Sequence, residues 1–234
     1  MLTTQYYNNV CFGINPKFAI IEKNINLDKV KSLGINNLRI LDADTISGST
    51  LESCPMKEFS DIKSCGIGTI VDFRADGSNI LEEKCKRIGI NYMKFPLDNV
   101  LSLDNPKYFK FTKENKRLVT DEFINNLKKF FNAMDSKKIY VGCQYGIDRT
   151  NVGLSLNYLL NVNAKHGAPE ILTWPGERKK TIVNKNTKVI KKILKALTPK
   201  QKEMLGISTK NNDDINKKIV NLVQKNKNNF DTNI

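Results

Sequence analysis

The chain has 234 residues, 40% of them apolar and 26% charged, the balance of a folded globular protein long enough to bury one substantial core. Its 38 Lys and Arg against 24 Asp and Glu leave a formal charge of +14, which favours anionic partners: phosphorylated molecules, nucleic acid or an acidic membrane face. The only histidine is His166, which excludes a His-rich zinc site and leaves any metal chemistry to carboxylates.

In chain order, Asn37-Leu38-Arg39-Ile40-Leu41 reads as a short strand. Pro55 to Ser64 reads as a helix, with Met56, Phe59 and Ile62 at helical spacing and Gly66 and Gly68 beyond its end. Thr69-Ile70-Val71-Asp72-Phe73 is a β-branched, apolar run of the kind found in buried parallel strands. A helix from Asn79 to Ile88 follows, with Ile80, Leu81 and Cys85 as its apolar stripe and Gly89 to close it. Ile90 to Phe95 is the next strand, stopped by Pro96.

Leu97 to Leu118 is a long polar and aromatic segment, and connections of that length usually carry function. Thr120 is placed to cap a helix that buries Phe123, Leu127, Phe130 and Phe131. Lys138 to Val141 is a strand, followed by a glycine-containing turn and a helix from about Arg149 to Leu160. Three further helices are expected at Lys188 to Leu197, Pro199 to Leu205 and Asp213 to Val223, with a frayed or disordered tail from Gln224. Strands alternating with helices between residues 37 and 160 predict an α/β fold. Its centre is a mainly parallel sheet of four to five strands flanked by helices, with a helical C-terminal third.

The five cysteines, Cys11, Cys54, Cys65, Cys85 and Cys143, are odd in number and irregular in spacing, and none forms a CxxC pair. A disulfide framework is not expected, and a reducing, cytoplasmic setting is the simpler reading. Met1 to Ile20 shows no apolar run behind a basic head, so no signal peptide is expected; export by another route stays open. No apolar run reaches the length of about 18 residues that a transmembrane helix needs.

Chemistry concentrates in Cys143-Gln144-Tyr145-Gly146-Ile147-Asp148-Arg149-Thr150. A strand runs into the cysteine, five residues separate it from an arginine, and a helix begins at once. Loop N–H groups and a helix N-terminus present partial positive charge to an anion. Gly146 allows the tight path that such a loop needs, and Arg149 supplies a planar fork for two phosphate oxygens. The same field favours a thiolate at Cys143, which can attack phosphorus. Thr150 is placed to donate to the sulfur, and Gln144, Tyr145, Gly146, Ile147 and Asp148 complete the phosphate-binding loop. No histidine is needed as base, and no cofactor or metal is called for. The competing reading is a buried core cysteine and a surface arginine.

These residues resemble the signature of the protein tyrosine phosphatase superfamily, Cys-five residues-Arg-Thr with glycine at the third loop position. The upstream chain is similar to the compact dual-specificity-like members over roughly residues 37 to 165. The similar stretches are Cys65-Gly66-Ile67-Gly68-Thr69-Ile70-Val71-Asp72-Phe73-Arg74 and then Gly89-Ile90-Asn91-Tyr92-Met93-Lys94-Phe95-Pro96. The chain is expected to divide into an N-terminal extension over 1–36 packed on the domain, a cysteine phosphatase domain over 37–205, and a helical, partly disordered basic tail over 206–234. Two departures stand out: Gly142 where the family usually has a histidine that orders the loop, and Asn151 where glycine is common. Cys-x-x-x-x-Asp-Arg-Thr-Asn is also similar to the Sac-type phosphoinositide phosphatases, although the second loop cysteine of that group is missing.

The leaving oxygen needs a proton, which the family takes from an aspartate on a loop. Asp98 is placed for this, with Asp104 as its rival; the plainer reading of either is a turn-capping residue. Asp148 is a third candidate, for the proton, the water or the arginine, or simply for the helix start. Arg74 ends a parallel strand, where it can touch substrate or pair with a nearby carboxylate. Arg178-Lys179-Lys180 is a basic rim or a solvated face, and Trp174, the only tryptophan, reads as core. The leading functional expectation is a phosphomonoesterase acting on protein phosphotyrosine, with dual specificity open. The alternatives are a phosphoinositide or inositol phosphate phosphatase and a non-catalytic phosphate-binding module. No nucleic-acid motif accompanies the charge.

Overall fold

The structure is a computed structural model that describes residues 30–97 and 119–231, apart from 31, 43, 77, 78, 137, 165, 166, 175, 177 and 208–211. Asp98, Asp104, His166, Cys11 and most of the expected N-terminal extension lie outside the described residues.

Five strands form one sheet: β1 (Arg39–Asp42), β2 (Thr45–Ser49), β3 (Thr69–Asp72), β4 (Asn91–Lys94) and β5 (Ile139–Cys143). Their order is β1-β2-β5-β3-β4, with β1 antiparallel to β2 and every other pairing parallel. The fold is α/β, as the alternation of elements predicts. Strand β2 was not legible in advance: Thr45-Ile46-Ser47-Gly48-Ser49 holds one large apolar residue, yet all five positions are buried. Its small residues are what let β5 and the loop behind it come close.

The helices are α1 (Met56–Ser64), α2 (Ile80–Ile88), α3 (Asp121–Ser136), α4 (Asp148–Leu160), α5 (Lys179–Ala196), α6 (Pro199–Met204) and α7 (Asn212–Asp231). Alternation along the strands sorts the core into two layers. Ile46, Ile70 and Tyr140 face α1 and α2, where Phe59, Ile62, Leu81 and Cys85 are buried. Val71, Ile139, Val141 and Cys143 face α3, α4, α5 and α7. The first turn of α3 is capped as expected, the Phe123 N–H donating to Thr120 Oγ1 at 3.2 Å. Phe123, Leu127, Phe130 and Phe131 are all buried. Ile80 departs from its expected place in the core of α2: it is 50% exposed at the helix start.

Two C-terminal expectations need correction. Helix α5 begins nine residues before Lys188 because its buried stripe, Ile182, Val183, Asn186, Val189, Ile190 and Ile193, contains a polar residue that hides the periodicity. Helix α7 continues past Gln224 instead of fraying, for a similar reason: the stripe of Ile215, Ile219 and Leu222 ends in Asn226, which is 4% exposed. Asn226 Oδ1 accepts from the Ile171 N–H (2.8 Å), and Nδ2 donates to the carbonyls of Pro169 (3.1 Å) and Leu222 (2.7 Å). Such bonds anchor the segment that follows α4 to the end of the chain. Among the described residues no helix is long and apolar enough to cross a membrane.

Candidate active site

The parallel strands β5 and β3 deliver Cys143 and Arg74 to their C-terminal ends, where ligands bind in open α/β sheets. Cys143 closes β5 opposite Ser49 and is 4% exposed. The chain then makes a tight loop and enters α4 at Asp148.

What shapes the loop is the direction of its carbonyls. The Thr50 N–H donates to the Gln144 carbonyl at 3.3 Å, Asn37 Nδ2 to the Tyr145 carbonyl at 2.9 Å, and Arg39 Nη2 to the Gly146 carbonyl at 2.9 Å. Three consecutive carbonyls are thus held outward. A trans peptide sets each C=O opposite the next N–H. The N–H groups of Tyr145, Gly146 and Ile147 therefore turn to the concave side, where the N-terminus of α4 adds its own partial positive charge. Asn37 supports this from a left-handed conformation, φ 55°, which asparagine tolerates better than most residues.

Gly146 has φ +71°, and a Cβ there would lie 2.3 Å from the carbonyl carbon of Gly48 and 2.5 Å from its oxygen. No side chain fits. Gly142, one residue before the cysteine, is almost as tight: a Cβ would meet the Gly48 oxygen at 2.9 Å, Tyr140 Cε1 at 3.1 Å and the Ser49 oxygen at 3.3 Å. Glycine at 142 follows from the close approach of β2, which leaves no room for a histidine.

The remaining loop side chains divide by position. Ile147 is buried at the boundary where α4 begins, and Arg149 lies half-buried in the first helical turn. Thr150 is fully buried, and its Oγ1 has no hydrogen-bond partner among the described residues. Tyr145 is 54% exposed and meets the Trp174 ring edge-on, with centroids 4.7 Å apart at 68°. Trp174 Nε1 donates to Asp148 Oδ2 at 2.9 Å. Trp174 therefore borders the loop and, partly buried, also packs against the core, as expected from the sequence.

Arg74 takes the pairing role of the two open to it. Its Nε donates to Asp72 Oδ1 and Oδ2 at 2.9 and 3.0 Å, Nη2 to Asp72 Oδ2 at 2.7 Å and Nη1 to Glu52 Oε2 at 2.6 Å. Burial works against its charge, but these bonds outweigh burial and the guanidinium holds its proton more tightly than usual. Nη1 also reaches Gln144 Oε1 at 3.2 Å, which ties the loop to β3. Removing both carboxylates would strand a buried cation, and a buried charge left without its partner typically costs about 3–5 kcal/mol.

Arg39, Asn37, Gly48, Thr50 and Trp174 all shape the loop, and none stands out as a site residue in the sequence. For Arg39 a signal existed: an arginine inside the apolar run Leu38-Arg39-Ile40-Leu41 has to bury its charge or break the strand. Among the described residues, no three or more His, Cys, Asp or Glu side chains gather as metal ligands would.

No family model matches the chain, and no curated protein matches it. Among solved structures, a DUF442 protein from Shewanella putrefaciens CN-32 with a provisional phosphatase name is similar at 17% identity and a TM-score of 0.40, over 79% of this chain and 98% of that one. TpbA of P. aeruginosa is similar at 10% identity and a TM-score of 0.40, over 81% of this chain and 91% of that one.

Proposed function

We propose that the chain is a cysteine-dependent phosphatase that hydrolyses phosphate monoesters, with aryl esters such as protein phosphotyrosine as its favoured class. The observation that carries this reading is the outward pinning of the Gln144, Tyr145 and Gly146 carbonyls, which aims three N–H groups into a cradle beside Cys143 and Arg149. A cradle of backbone donors at a helix N-terminus selects a tetrahedral oxyanion, and the sulfur at its base selects nucleophilic chemistry.

In the proposed reaction the Cys143 thiolate attacks phosphorus. The S–P bond forms as the P–O ester bond breaks, and the leaving oxygen takes a proton from a carboxylic acid, assigned first to Asp98 and second to Asp104. Water then attacks the phosphocysteine, giving up its proton to that carboxylate, and the S–P bond breaks to release inorganic phosphate. Arg149 holds two phosphate oxygens through both steps. Thr150 Oγ1 donates to the sulfur as it leaves.

The exposed Tyr145 ring, braced edge-on by Trp174, supports an aromatic ester at the mouth of the cradle. The neutral loop side chains Gln144, Tyr145 and Ile147 offer no cation to a second phosphate, which weighs against inositol polyphosphates. The test is turnover of p-nitrophenyl phosphate and of phosphotyrosine, phosphoserine and phosphoinositide substrates side by side, with Cys143→Ser as control. Aryl esters should turn over fastest, and the variant should bind phosphate without turnover. Equal turnover by Cys143→Ser would refute the covalent route, and phosphate binding without turnover in the unaltered chain would make it a binding module.

A further inference from the structure

Arg39 leaves β1 opposite Ser47, which itself pairs with Val141 across β2. Register therefore puts its side chain on the face of the sheet that carries Val141 and, two residues on, Cys143. Only 7% of Arg39 is exposed. Its Nη2 donates to the Gly146 carbonyl at 2.9 Å, and its Nη1 to Asn151 Oδ1 at 3.1 Å and to the Glu170 carbonyl at 2.7 Å. One guanidinium thus joins the phosphate loop, the first turn of α4 and the segment that carries Trp174. Asn151 repeats the link, with Nδ2 donating to the Leu172 carbonyl at 2.8 Å.

All three acceptors of Arg39 are neutral. Among the described residues no carboxylate lies within ion-pair distance of it, and its buried Nε has no acceptor. Burying a cation without a counter-charge is expensive, and proteins rarely do it without use for the charge. The negative charges that act on it are the Glu170 carboxylate and, on the sheet face that Arg39 shares, the sulfur of Cys143. Burial pulls the guanidinium down to about 10, and the charges of Glu170, Cys143 and Tyr140 oppose that pull. The arginine stays charged at neutral pH.

We propose that Arg39 is the positioning residue of the phosphate loop: from behind, it fixes the Gly146 carbonyl and Asn151, and it sets a buried positive charge on the face of the sheet that carries Cys143. Gly142 contributes no side chain to either task. The other ionisable groups whose charges act on Arg39 are Glu170 and Tyr140 from β5, which burial keeps protonated. The inference concerns the same site as the proposed phosphatase reaction and rests on that reading for its purpose, although its test needs no turnover.

The test is alkylation of Cys143 by iodoacetamide, followed by peptide mass spectrometry at pH values from about 5 to 9. Burial pushes the Cys85 thiol up to about 12 and raises Cys54, so these two serve as unreactive internal controls. In Arg39→Met the pH midpoint for alkylation should rise by about one unit, roughly a ten-fold slower reaction below it. Arg39→Lys keeps the charge and should move the midpoint by less than half as much, while weakening vanadate binding because the fork to Gly146 and Asn151 is lost. An unchanged midpoint in folded Arg39→Met, or an equal shift in Arg39→Lys, overturns the proposal. Should Arg39→Met not fold, Arg39→Gln, which keeps a donor without the charge, is read in the same way. A chain that hydrolyses no phosphate ester yet shows the expected shifts would refute the phosphatase reading and leave this one standing.

Discussion

Replacing Gly142 by histidine should damage this protein. The first added atom, Cβ, would sit 2.9 Å from the Gly48 carbonyl oxygen and 3.3 Å from that of Ser49. Both are backbone atoms of β2, which is paired to β5 along its whole length and cannot yield without opening the ladder. Overpacking of this kind costs about 1–3 kcal/mol. For a chain of this size, about 2 kcal/mol lowers Tm by roughly 4–8 °C. Gly142→Ala tests the contact alone, and Gly142→His adds an imidazole for which there is no space. Differential scanning calorimetry measures the first effect, and initial rates on p-nitrophenyl phosphate the second. The expected order is the native chain, then alanine, then histidine, in both Tm and rate. A histidine variant that melts with the native protein and turns over faster would show that β2 moves aside, and that the close approach of Gly48 does not govern the loop.

Two further outcomes are expected, one from the proposed chemistry and one from the packing of the C-terminal helix. Asp98→Asn should slow poor leaving groups such as alkyl phosphates by about 100-fold or more while changing p-nitrophenyl phosphate far less; a uniform loss across leaving groups would move the proton donor to Asp104 or Asp148. Asn226→Ala strips the buried Ile171 N–H of its acceptor and should cost about 1–3 kcal/mol in urea unfolding, where an exposed fraying tail would cost nothing measurable.

The parts of the fold that were legible are those whose side chains speak for themselves. Thr69 to Asp72 is β-branched and apolar, Phe123, Leu127 and Phe130 recur at helical spacing, and both appear where periodicity puts them. The parts that were not legible are built from polar or small residues doing packed work. β2 is buried at five positions but lacks the apolar alternation of a strand, and Asn186 and Asn226 interrupt stripes that the helices nonetheless bury. The site divides in the same way. The order cysteine, glycine, arginine, helix marks the loop on its own. The groups that hold the loop open, Asn37, Arg39 and Thr50, lie about a hundred residues upstream and reach it through strand pairing, which no local pattern records.

Trp174 is the chain's single tryptophan, and its indole is bonded to Asp148 and stacked edge-on against Tyr145. Under excitation that selects tryptophan over the seven tyrosines, emission therefore originates in one ring that touches the phosphate loop at two residues. An anion settling into the cradle or a loop carbonyl released by mutation alters the surroundings of that ring. The protein thus carries its own optical probe, in contact with two residues of the loop, and binding there can be followed without a label.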